Sequence, residues 1–135
     1  MADISITATA VLAGSGANVS RSETAGATLT QGQVVYRDSA DSKCKLSDSN
    51  GTGTRQVDGI ALNAASSGQP LSILKGGDLT LNAALTAGVP YFLSGTAGAI
   101  CPEADVTTGM QKIQIGIAKS TTVLHVSIQD TGVTL

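Results

Sequence analysis

The chain has 135 residues, a formal net charge of -2, and a hydrophobic content of 41% in which only two Tyr and one Phe are aromatic. That length fits one domain, and its core must be assembled from Ala, Val, Ile and Leu rather than from rings. The densest basic cluster is Lys43 and Lys45, set beside Asp41 and Asp48, which argues against a nucleic-acid surface. No apolar run approaches a membrane span, and the opening Met1-Ala2-Asp3-Ile4 lacks the basic start of a secretion signal.

Residues 3–12 alternate. Ile4, Ile6, Ala8, Ala10 and Leu12 fall on one side, and Asp3, Ser5, Thr7, Thr9 and Val11 on the other, the period of a half-buried strand. This segment is either the first strand of the domain or an arm that pairs with a neighbour's sheet edge. Gly14 to Asn18 breaks it, and 19–29 is polar and without a clear period. A short strand is predicted at 33–37, entered by a turn at Gly32, and followed by a polar hairpin arm over 38–48. Ser49-Asn50-Gly51-Thr52-Gly53 is a turn. Strands follow at 57–62 and 70–74, separated by 63–68 as a loop or a single helical turn. Gly76-Gly77 ends the second of these, and Leu79-Thr80-Leu81 alternates again.

The second half repeats the pattern. A strand is expected over 89–93, with Pro90 at its start or on an edge because it lacks a ladder donor. A hairpin break at 94–98 leads to 99–101 and then to a loop over 103–109. Ile113, Ile115 and Ile117 share one side of the next strand, and Leu124, Val126 and Ile128 share one side of the last, with His125 on its wetter side. Many short strands and frequent turns predict an all-β protein, a small barrel or sandwich. The expected organisation is an N-terminal strand or arm with its linker in residues 1–25 and a single β domain in 26–135.

That domain contains two pseudo-repeated halves, about 26–75 and 79–130. Ala27-Thr28-Leu29-Thr30-Gln31-Gly32-Gln33-Val34-Val35-Tyr36 matches Ala83-Ala84-Leu85-Thr86-Ala87-Gly88-Val89-Pro90-Tyr91-Phe92 at an offset of 56, and Gly59-Ile60-Ala61 matches Gly116-Ile117-Ala118 at an offset of 57. Two matches in order at nearly one offset indicate a duplicated structural unit. Gly32 and Gly88 then mark corresponding turns, and Gly59 and Gly116 corresponding bends or close backbone approaches.

The chemistry-bearing residues form no constellation. His125 is the only histidine, and no Gly-x-Ser-x-Gly elbow supplies a nucleophile for it. Cys44 and Cys101 stand 57 residues apart, at about equivalent places in the two halves, and read as small buried apolar residues rather than as a zinc pair or a disulfide. Asp48-Ser49-Asn50-Gly51 starts like a calcium loop, but Gly59 occupies the place of its bidentate Glu. No catalytic residue, metal ligand or cofactor is expected.

Three stretches carry a resemblance. The run Gly59-Ile60-Ala61-Leu62-Asn63-Ala64-Ala65-Ser66-Ser67-Gly68-Gln69-Pro70-Leu71-Ser72-Ile73 resembles the line Gly-hydrophobe-Ala … Ala-x-x-Gly-x-Pro-hydrophobe-x-hydrophobe of tailed-phage capsid cement (head decoration) proteins. Ala84 to Tyr91 is similar to that family's Ala-Gly-x-Pro-hydrophobe-Tyr line, and 115–118 with 123–128 resembles its closing strands. The likeness covers about 26–130. It excludes 1–25, meets a longer and more charged loop at 38–55, and finds Val34 where the second half has Pro90.

The resemblance implies a structural virion protein that is not an enzyme. It would be synthesised in the host cytoplasm and would bind the major capsid protein on the exterior of an expanded capsid as a homotrimer, with no nucleic-acid or membrane partner. The unmatched parts are the expected partner contacts: Ile4, Ile6, Ala8, Ala10 and Leu12 in the alternating segment, and Arg37, Asp38, Asp41, Lys43 and Lys45 in the charged loop. The alternative is a small β-barrel binding module of a phage tail or baseplate that contacts host glycans. That role calls for exposed aromatics, and only Tyr36, Tyr91 and Phe92 are available.

Overall fold

A computed structural model of the chain describes residues 3–4, 6–7, 10–51, 54–81 and 85–135. The described residues form ten strands: β1 (Leu12–Ala13), β2 (Asn18–Thr24), β3 (Val34–Arg37), β4 (Cys44–Leu46), β5 (Gly59–Ala61), β6 (Pro70–Thr80), β7 (Pro90–Leu93), β8 (Ile100–Pro102), β9 (Gln111–Ala118) and β10 (Val123–Thr134). One turn of 3-10 helix at Glu103–Asp105 is the named helical element. The fold is all-β, a curled antiparallel sheet that makes a half-barrel.

The strand order is β4-β3-β5-β6-β10-β9-β7-β8, a palindrome of two equivalent four-strand paths. Its halves are the two repeats, and they agree residue by residue. Val34 pairs with Ile60 and Val35 with Gly59, as Pro90 pairs with Ile117 and Tyr91 with Gly116. Val35 pairs with Leu46 as Tyr91 pairs with Pro102. The Gly32 N–H donates to Ala61 O as the Gly88 N–H donates to Ala118 O, and the Ala61 N–H donates to Gln33 O as the Ala118 N–H donates to Val89 O. Both turn glycines have positive φ, 87° and 81°, a region that glycine enters without a Cβ penalty. At Gly59 an added Cβ would lie 2.6 Å from the Leu74 carbonyl oxygen, and at Gly116 it would run into that of His125. Leu74 and His125 are themselves equivalent, because they pair with Ile60 and Ile117.

The join between the halves is β6. Gly76-Gly77 was expected to end a strand; instead the strand runs for 11 residues through both glycines. Its first half pairs with β5 and β2, and its second half with β10 and β1. A Cβ on Gly77 would collide with the backbone of Gly16 and Ala17, so glycine lets the crossing segment lie close while β6 bends from one half to the other. Ile100, Leu93, Tyr91, Ile113, Ile115 and Leu124 of the second half share the main core with Val34, Ile60 and Leu74 of the first. A smaller core of Ala25, Leu29, Val35, Cys44, Ala61, Ala65, Leu71 and Ile73 lies within the first half.

Three sequence expectations are corrected. Among the described residues of 3–11 none is in a strand, and Ala8 lies outside the described residues. A turn closed by the Ala10 N–H on Thr7 O breaks the extended period. The parity therefore reverses: Val11 is buried at 6% exposure, and Leu12, expected to share a face with Ile4 and Ile6, is 66% exposed. In β9, Tyr91 and Phe92 of β7 face Gly116 and Gln114, which leaves Ile115 as the extra residue of a β-bulge. Ile113 and Ile115 point inward, but beyond the bulge Ala118 is the inward residue and Ile117 turns out at 45% exposure. The polar stretch at 19–29 contains a seven-residue strand, β2, held by its ladder to β6 rather than by an apolar face.

Candidate functional site

Ile4 and Ile6 pack against the main core, and the Ile4 N–H donates to Ile100 O at 2.9 Å, so these two side chains are engaged with their own chain. Ala10 is half-buried, and Leu12 stands on β1 beside Thr80. The charged loop is a hairpin tip between β3 and β4. Lys45 Nζ lies 2.8 Å from Asp38 and 3.1 Å from Asp41. The two carboxylates also accept from the Ala40 and Lys43 N–H groups, and Asp58 accepts from the Arg37 N–H at 2.6 Å. The Lys45 hydrogen bond holds the Asp38 carboxyl below the usual range; for Asp41 the Lys43 N–H is the larger cause. Ser42, with φ of 60°, completes a turn whose side chains satisfy one another.

The structure brings together a second cluster, on the outer face of β6, β10 and β9. Asp78, His125, Ile117 and Pro90 form one cross-strand row. Asp78 is the sunken member: its side chain is 12% exposed, against 53% for His125 and 56% for Lys119. Its two oxygens lie 2.9 Å from His125 Nδ1 and 2.7 Å from Lys119 Nζ. The Lys119 bond first, and then the His125 bond, pull the Asp78 carboxyl below its ordinary value. A shallow concavity of about 380 Å³ lies over Ile117, Ala118, Lys119 and His125. The adjoining row is Leu12, Thr80 and Val123.

His125 does stand on the wetter side of its strand, but the expectation missed its partner. Asp78 lies 47 residues away behind two glycines, and only the β6–β10 register places it opposite His125. A carboxylate fixed on imidazole Nδ1 is the orienting half of a catalytic triad. Among the described residues no hydroxyl is hydrogen-bonded to the ring, so the cluster reads as a fixed charged patch inside an apolar rim.

The cysteines are free and buried. They are one register position apart rather than equivalent: Cys44 pairs with Arg37, whereas Cys101 pairs with Phe92, the counterpart of Tyr36. They therefore enter different clusters, and burial pushes their thiols up to about 11 and about 12. Asp48 caps its own turn by accepting from the Asn50 N–H. Among the described residues no group of three His, Cys, Asp or Glu side chains is placed to hold a metal ion. Tyr36, Tyr91 and Phe92 are 6%, 4% and 3% exposed, so the chain's three aromatic rings are all in its interior.

No protein-family model matches the sequence. No curated protein matches it.

Proposed function

We propose that the chain is a structural virion protein that binds the major capsid protein on the outer surface of an expanded phage capsid and reinforces it, as a homotrimer. What supports this reading is the placement of the residues that resemble the cement-protein lines. The stretch 59–73 runs from β5 into β6, 85–91 leads into β7, and 115–118 with 123–128 lies on β9 and β10. All of them fall on the duplicated frame and in its order, so the likeness follows a structural unit rather than scattered small residues.

The glycan-binding alternative is the less favoured reading, because a sugar face stacks on exposed rings and Tyr36, Tyr91 and Phe92 are buried.

The test is co-sedimentation of the full chain with emptied, expanded capsids of tailed phages. Saturable binding to expanded shells, absent from unexpanded ones, is expected. Failure to bind any expanded shell overturns the reading. Charge reversal at Lys43, with Leu12→Ser in a separate variant, probes the expected contacts without removing Ile4, Ile6 or Val11 from the core.

A further inference from the structure

The repeat sets two corresponding places side by side. In the first half the cross-strand row is Val19, Leu74 and Ile60, and its counterpart in the second half is Asp78, His125 and Ile117. One step further on, the Leu62 N–H donates to Ser72 O as the Lys119 N–H donates to Val123 O, both at 2.9 Å. Val19 is thus the counterpart of Asp78, and Leu62 of Lys119. The second half holds a carboxylate and an ammonium at these two places, 2.7 Å apart. The first half holds two apolar residues there, and it brings a cation from another position.

That cation is Arg21. Val19, Arg21, Leu62, Pro70 and Ser72 line a hollow of about 380 Å³ where β2, β5 and β6 meet. Arg21 is its one charged lining residue among those described, and no ion pair reaches the guanidinium among the described residues. A β-bulge keeps it so. Ser20 pairs with Ile73 and Glu23 with Leu71, which leaves one extra residue in β2. In an unbroken strand Arg21 and Glu23 would share a face. The bulge turns Glu23 to the side of Ser20 instead, where its carboxylate accepts from Ser20 Oγ at 2.8 Å and lies 3.8 Å from Cys44 Sγ. The loop beside the hollow is fixed: Asn63 Nδ2 donates to Pro70 O at 3.2 Å, and Asn63 Oδ1 accepts from the Ser72 N–H at 2.7 Å.

We propose that this hollow receives the carboxylate of an acidic side chain on a partner protein. That group would complete from outside the kind of pair that Asp78 and Lys119 complete within the chain. The chemistry of the occupant follows from this equivalence and from charge. A lone guanidinium balances one negative charge, which suits a carboxylate rather than a phosphate carrying nearly two. Its planar fork also matches the two carboxylate oxygens. Val19, Leu62 and Pro70 offer apolar walls to the aliphatic stem, and Ser72 adds a hydroxyl donor. The carboxylate site does not depend on the reading above; placing the acidic side chain on a capsid subunit does.

The experiment is a titration of the full chain with the blocked peptide acetyl-Leu-Glu-Leu-amide and with its Gln counterpart, followed by backbone amide chemical shifts. Saturable shifts at Val19, Arg21, Leu62 and Ser72 are expected with the Glu peptide only. Arg21→Gln, at an exposed position, is expected to weaken binding by about tenfold with the other resonances unmoved, and Arg21→Lys to recover part of the loss. The proposal is overturned by an absence of saturable shifts, by equal binding of the two peptides, or by an Arg21→Gln variant that binds like the wild type. Inorganic phosphate binding there as tightly as the Glu peptide overturns it too. Capsid co-sedimentation is read apart. Shells that hold wild type and Arg21→Gln equally remove the hollow from the capsid interface, whereas shells that hold neither count against the capsid reading alone.

Discussion

Gly59 and Gly116 do the same job twice. Each lies against the carbonyl of the residue that its neighbour pairs with, Leu74 in one half and His125 in the other. The contact is with backbone, which cannot rotate away as a long side chain can. Gly59→Ala and Gly116→Ala are each expected to lower stability by about 1–3 kcal/mol, as overpacking does. Gly88→Ala meets open space and bears only the strain of its positive φ, about 1–2 kcal/mol. Urea midpoints of the three variants check this, and an unshifted midpoint for Gly116→Ala would contradict the close approach. The need for glycine at these places was legible in the sequence, because the same phrase carried it twice. What each glycine faces was not, since that depends on strands 9 to 15 residues further along.

The N-terminal segment shows how an element can be half read. The alternation of 3–12 correctly marks Ile4 and Ile6 as inward, but it predicts a continuous period, and one turn at Thr7 and Ala10 is enough to exchange Val11 for Leu12. Ile6→Ala is accordingly expected to cost about 2 kcal/mol, at the low end for a buried Ile. Leu12→Ala should stay within about 0.5 kcal/mol in the dissociated chain, as a surface change does. Thermal or urea unfolding of both variants decides the matter, and a larger loss at Leu12 would restore the uninterrupted strand. The other misread elements have the same origin. The bulge at Ile115 turns Ile117 outward, Gly76-Gly77 bends β6 without ending it, and β2 is held by its ladder rather than by apolar alternation. Each is a tertiary feature that period-2 reasoning does not contain. The charged outer patch was hidden for the same reason: Asp78 and His125 meet only through a strand pairing.

At the scale of the molecule, the two halves are repeats but not domains. The row that seals the main core belongs to the first half, and the residues beneath it belong mostly to the second. The main core is sealed only when both halves are in place, so the chain is expected to unfold in one step. Each half carries one tyrosine, Tyr36 and Tyr91, both buried. Tyr36→Phe and Tyr91→Phe variants therefore leave a single fluorescent reporter in one half or the other. In each variant the fluorescence transition in urea should coincide with that of circular dichroism. Two separated midpoints would mean that the halves are independent.

The strand that both halves share also bears on how fast the chain folds. Residues 70–76 form the ladder with β2 and β5, and the strand runs on past β5 with β1 along one edge, which leaves its other edge to the last strand. That edge is the template to which 123–126 later add. The last strand therefore closes on an edge that lies 43 to 49 residues earlier in the chain, a long-range pairing of the kind that slows folding.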